Sequence, residues 1–176
     1  ERYVTGNTGK ANLDAARRRE LAANGQHPFA VIICCSDSRV PPELIFDQGL
    51  GDLFVIRTAG NVVDDVALGS IEYGAEHLNI PLIVVLGHEN CGAVKTTVDG
   101  SEVHGCIVSI VDRISPALDR VRGAQDLYAA CEDENIQSVC SEIKANKIIA
   151  ELIRNGKTQV VGAKYGLESG RVTFMD

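Results

Sequence analysis

Phe29-Ala-Val-Ile-Ile-Cys-Cys-Ser-Asp-Ser-Arg39 is the stretch on which the fold turns. Its apolar part, Phe29 to Cys34, runs unbroken between Pro28 and the polar Ser36-Asp37-Ser38. A strand with one face in water alternates apolar and polar residues, whereas an unbroken run belongs to a strand covered on both faces, as in parallel sheets. Similar short runs recur at Leu53–Ile56, Leu82–Leu86 and Gln159–Ala163. Between them, Asp65–Leu78 and Cys106–Arg122 have helical spacing. Upstream, Asn12–Asn24 sets Leu13, Ala16 and Leu21 among charged residues and stops at Gly25, a helix with a C-terminal signal. Downstream, Glu134–Arg154 gathers Ile136, Val139, Cys140, Ile143, Ile149, Leu152 and Ile153 on one side, predicting a single amphipathic helix that Gly156 ends. Arg171–Met175 reads as a further edge strand. Strand, helix, strand repetition predicts an α/β fold, a central mostly parallel β-sheet flanked by helices, as one domain over residues 1–176.

Charge narrows the partners. Seventeen Lys and Arg against 24 Asp and Glu leave a net charge of −7, the opposite of a nucleic-acid-binding surface and a poor match for an anionic membrane. The longest apolar stretch, Ile80–Gly87, contains Pro81 and falls far short of the roughly 20 residues of a membrane-spanning helix. A cytoplasmic location is expected. The chain opens without a charged-then-apolar leader, although a sequence starting at Glu1 without Met gives that absence little weight. A chain of 176 residues can stabilise itself by burial, so its six cysteines read as thiols or metal ligands rather than disulfides.

Ligands of such sheets gather beyond the carboxyl ends of the strands, and two polar clusters fall there: Cys35-Ser-Asp-Ser-Arg39 and Gly87-His-Glu-Asn-Cys91. Alternation along an extended chain would send Cys35, Asp37 and Arg39 one way. His88 and Cys91, three apart, can be aimed at one point by a single turn. Cys35, His88 and Cys91 make a Cys2His donor set, which suits Zn2+ and leaves a fourth position open. Asp37 would either close that tetrahedron or accept a hydrogen bond from a metal-bound water while Arg39 clamps its carboxylate. Spacing alone leaves a catalytic zinc, a structural metal and buried thiols as alternatives. Cys34, Cys106, Cys131 and Cys140 read as small core hydrophobes. His27, His77 and His104 read as surface or capping residues. No phosphate-cradling glycine motif is present.

On these residues the sequence resembles the β-class carbonic anhydrases. Cys35-Ser-Asp-Ser-Arg39 matches that family's C-x-D-x-R, and His88-Glu-Asn-Cys91-Gly92 its H-x-x-C-G. Gly51–Asn61, Ser70-Ile-Glu-Tyr73 and Val161-Gly-Ala-Lys-Tyr165 extend the likeness over nearly the whole chain. The resemblance implies zinc on Cys35, His88 and Cys91, a catalytic dyad of Asp37 and Arg39, and a substrate pocket using Gln26, Phe54, Tyr73 and the Gly92 amide. It implies reversible hydration of carbon dioxide to bicarbonate and a proton by zinc-bound hydroxide. It also implies a homodimer or homotetramer with active sites at the dimer interface, where both chains line each pocket. Ala59 departs from the larger aliphatic residue common in the plant-like branch. Another branch carries a Trp three residues before the metal cysteine in an inhibitory bicarbonate site; Ile32 stands there, and although Arg57 matches that site's arginine, the site is expected to be absent. A carbonyl sulfide or carbon disulfide hydrolase with the same zinc core, and a non-catalytic structural-zinc scaffold, are the alternatives.

Overall fold

A computed structural model describes residues 2–6 and 12–175 of the chain. In chain order the elements are α1 (Ala15–Asn24), β1 (Ala30–Cys35), α2 (Pro42–Ile45), β2 (Leu53–Thr58), α3 (Asp65–Glu72), β3 (Leu82–His88) and α4 (Gly92–Val98). There follow α5 (Ile107–Val121), α6 (Leu127–Ala145), α7 (Lys147–Arg154), β4 (Gln159–Tyr165) and β5 (Val172–Met175). A tight turn at Ala59–Asn61 follows β2, and α3 runs on into a π-helical turn, Tyr73–His77. The sheet order is β2-β1-β3-β4-β5, parallel except for β5, which pairs antiparallel at the edge as expected for Arg171–Met175.

The unbroken runs arise because both faces of the central strands are covered. Val31, Ile33, Ile83 and Val85 pack with Ile71, Ile136, Ile143 and Ile149 in one core. Ile32, Cys34, Val84 and Leu86 pack with Val40, Ile45 and Tyr165 in another. Each fully buried aliphatic side chain contributes about 1.5–3 kcal/mol, so β1, buried along its whole length, anchors the fold. Asp14, Asp64 and Asp126 cap α1, α3 and α6 by accepting the amide three residues on, each cap worth about 1 kcal/mol.

Two expectations are corrected. Glu134–Arg154 is not one helix: α6 starts at Leu127, and Asn146 leaves helical geometry (φ −60°, ψ 132°) to begin α7. Its side-chain oxygen accepts the amides of Ile148 and Ile149, while its Nδ2 donates to Glu72 Oε1 at 2.6 Å. The apolar spacing passes through this break because α6 and α7 cover the same core. Cys106 is not a core residue; it is exposed just before α5, while Cys34, Cys131 and Cys140 are buried.

Candidate metal centre

The strand order changes direction between β1 and β3, which opens a crevice at their carboxyl ends. Cys35 is the last residue of β1 and His88 the last of β3. Asn90 then takes a left-handed conformation (φ 53°), which Asn tolerates better than most residues, and turns the chain so that Cys91 caps α4. The donor atoms of Cys35, His88 and Cys91 all lie within 4.8 Å of one another, and all three residues are buried. The sulfurs are 4.0 Å apart, close to the about 3.8 Å that tetrahedral bonds of about 2.3 Å to zinc require.

The imidazole is oriented as a ligand. His88 Nδ1 lies 2.8 Å from the carbonyl of Glu89, and since a carbonyl only accepts, Nδ1 carries the proton. Nε2, the nitrogen free for a ligand bond, is buried and without a hydrogen-bond partner. An unsatisfied buried polar atom costs about 1–3 kcal/mol, and a metal ion bound by it and the two sulfurs removes that cost. The sulfurs are also prepared. Cys35 is pulled down to about 4, first by its hydrogen bond with Cys91 and, against burial, by His88 and the amides of Asp37 and Gly60. Cys91 is pushed up by the same bond and by burial, so without a cation one thiol ionises at the other's expense. The residues present therefore fit a divalent metal with sulfur affinity.

Beside this cluster the chain turns after β1 instead of staying extended, so alternation stops at Cys35. Arg39 holds the Asp37 carboxylate in a bidentate grip, Nε on Oδ1 at 2.9 Å and Nη2 on Oδ2 at 2.7 Å, and the Arg39 amide adds a bond to Oδ1 at 2.8 Å. The guanidinium beside it keeps Asp37 down at about 2. Asp37 Oδ2 sits 4.0 Å from His88 Nε2, too far for a hydrogen bond. Arg57 donates to the carbonyls of Cys35 and Asp37 at 3.1 and 2.6 Å, tying down the loop between ligand and acid.

A family model described as carbonic anhydrase matches residues 30–172. This chain belongs to the β-carbonic anhydrase family. Carbonic anhydrase 2 of Mycobacterium tuberculosis is 42% identical, the match covering 100% of this chain and 87% of that protein. The carbonic anhydrase of Mycolicibacterium smegmatis is 40% identical over 97% of this chain and 85% of its own. Among solved structures, one of two tetrameric β-carbonic anhydrases from Sordaria macrospora superposes with a TM-score of 0.82 at 26% identity, covering 90% of this chain and 85% of that one. The chain is accordingly an enzyme, a carbonic anhydrase.

The structure brings Cys35, His88, Cys91, Asp37 and Arg39 of this carbonic anhydrase together, with Gly92 opening α4 beside them. It does not bring Gln26, Phe54 and Tyr73 to them. Phe54 pairs with Val31, near the start of β1, whereas Cys35 pairs with Thr58 at its end. Four residues of strand separate the two levels, about 13 Å. Tyr73 rests on Phe54 with ring centroids 6.2 Å apart, and Gln26 precedes β1, exposed. His27, His77 and His104 are exposed, as expected. The residues that sequence reasoning missed stand behind the ligands: Gly60, Glu132, Asn135 and Lys164, the last three signalled only by their polar identity among apolar neighbours.

Proposed function

We propose that the chain catalyses reversible hydration of carbon dioxide to bicarbonate and a proton, with zinc held by Cys35, His88 and Cys91. The observation that carries this reading is the buried, unpartnered Nε2 of His88 facing two converging sulfurs beside an acid that Arg39 keeps ionised. Zinc in such a site supplies Lewis acidity that makes a nucleophile of water at mild pH. Asp37, ionised and locked, accepts a hydrogen bond from the attacking water and so aims its lone pair at the carbon of CO2. Arg39 keeps that carboxylate from turning to ligate the metal, which leaves the fourth position open. The Gly92 amide, at the N-terminus of α4, donates to a substrate oxygen as charge develops there. The proton released passes to solvent.

Gln26, Phe54 and Tyr73 lie at the wrong end of the sheet to serve their own chain's metal, so a second copy provides them. Tyr73 is 49% exposed, and Val66, on the same helix, and Phe29, just before β1, are exposed as well, apolar side chains suited to such contact. A homodimer with its active sites at the interface is the minimal unit, and the tetrameric Sordaria macrospora relative points to further pairing. Among the described residues no helix is long and apolar enough to cross a membrane.

The test pairs metal analysis with stopped-flow CO2 hydration of the wild type and Asp37→Asn. Zinc is expected near one per chain, and Asp37→Asn should keep it while hydration falls about a hundredfold. Zinc without turnover at near-neutral and at alkaline pH would leave only a scaffold. Faster turnover of carbonyl sulfide than of CO2 in parallel assays would move the substrate to the sulfur analogue.

A further inference from the structure

Helix α6 carries two buried polar side chains one turn apart, Glu132 and Asn135, 6% and 2% exposed. Both point to the two halves of the sulfur pair. Glu132 Oε1 accepts the amide of Cys91 at 3.3 Å, an N–H that α4 leaves without an intrahelical partner. Asn135 Nδ2 donates to the carbonyl of Gly60 at 2.9 Å, and the Gly60 amide donates to Cys35 Sγ at 3.3 Å. Gly60 has φ +68°, and a Cβ there would lie 2.8 Å from Ile114, so the turn reaches the sulfur only as glycine. The negative charge of Glu132 is matched by Lys164, whose Nζ is 2.9 Å from Oε2. A second contact of Lys164, 2.8 Å to Asp133 Oδ1, is an ion pair without hydrogen-bond alignment. The helix itself is seated closely: Ile136 lies where a Cβ on Gly87 or Gly162 would fall, at 2.4 and 2.9 Å.

We infer that Glu132 and Asn135 are positioning residues, a two-point clamp by which α6 sets the separation and direction of the Cys35 and Cys91 sulfurs toward the metal. One point acts through the main chain of Cys91, the other through Gly60 onto Cys35. Lys164, shared between Glu132 and Asp133, offsets the charge of Glu132, and the clamp works through geometry. It rests on the reading of Cys35, His88 and Cys91 as metal ligands.

The experiment measures zinc dissociation constants by chelator competition, and the absorption spectrum of the cobalt-loaded protein, for the wild type, Glu132→Ala, Glu132→Gln, Asn135→Ala and Glu134→Ala. Glu134 lies on the same helix and pairs with Arg120, so its variant reports loss of helix stability alone. Glu132→Ala and Asn135→Ala should each weaken zinc binding about 10- to 100-fold and alter the cobalt–thiolate bands. Glu132→Gln, which keeps an acceptor oxygen for Cys91, should stay within about threefold of wild type. Glu134→Ala should leave affinity and spectrum unchanged. Wild-type affinity and spectrum in both alanine variants, with zinc bound normally, would overturn the clamp alone. Equal losses in Glu132→Gln and Glu132→Ala would overturn the geometric role in favour of charge. A wild type that takes up no metal would overturn the ligand reading and the clamp with it.

Discussion

Gly87 precedes the metal ligand His88, and its replacement by alanine tests how tightly α6 is seated on the sheet. A Cβ at Gly87 would fall 2.4 Å from Cδ1 and 2.5 Å from Cγ1 of Ile136, where carbon contacts normally settle at about 3.5–4.0 Å. More than an ångström must be found, and Ile136 is fully buried in the core with Ile33, Val85 and Ile143. Overpacking of this kind costs about 1–3 kcal/mol, and the severity of the contact puts Gly87→Ala at the upper end. Ile136→Ala alone empties the site and costs about 2–5 kcal/mol. In the double variant the new methyl occupies part of the space vacated, so the combined loss should fall about 2 kcal/mol short of the sum. Urea unfolding followed by circular dichroism, at one fixed protein concentration and with chelator present, gives the three values needed. Additivity within about 0.5 kcal/mol would refute the contact on which the seating argument stands.

Arg39→Ala should return the Asp37 carboxyl from about 2 towards its ordinary 3.8. Because the native value is the depressed one, the intact dyad adds stability above about pH 4 that is lost as pH falls towards 2; the variant's unfolding midpoint should change less over that window, and parallel profiles would count against it. Gly60→Ala should weaken metal binding and lower the melting temperature together, since it strains a φ of +68° and pushes on Ile114; an unaffected affinity in chelator competition would remove Gly60 from the support of Cys35. In the zinc-loaded protein, iodoacetamide should label Cys106 alone, for Cys34, Cys131 and Cys140 are buried and pushed up to about 12, 11 and 11; intact mass showing more than one adduct would contradict the burial.

The sheet was readable because its physics is local. A strand covered on both faces must be apolar at every position, and β1 is, so the run from Phe29 announced a parallel sheet without any knowledge of what covers it. The donor set was readable for the same reason, since Cys35 and His88 sit where strands end and loops begin. The break at Asn146 was less visible. Asparagine there is a capping residue by type, but the apolar spacing on either side serves one core and conceals the interruption. Cys106 misled because an isolated cysteine next to Ile107 and Val108 looks like part of a buried stripe, whereas all three are exposed at the start of α5. Glu132 and Asn135 could not be assigned at all, because their partners are a main-chain amide and a main-chain carbonyl far away in the sequence, and backbone groups carry no residue-specific mark.

The order of the chain gives the seating of α6 a consequence in biosynthesis. All three donors lie within the first 91 residues, whereas the helix carrying Glu132, Asn135 and Ile136 begins only at Leu127, and β4, which it packs against, comes later still. A nascent polypeptide can thus offer sulfur and imidazole to any passing thiophilic ion before the scaffold that discriminates between coordination geometries has folded. On the proposed ligand set and clamp, faithful metallation would wait until the C-terminal half closes over the sheet.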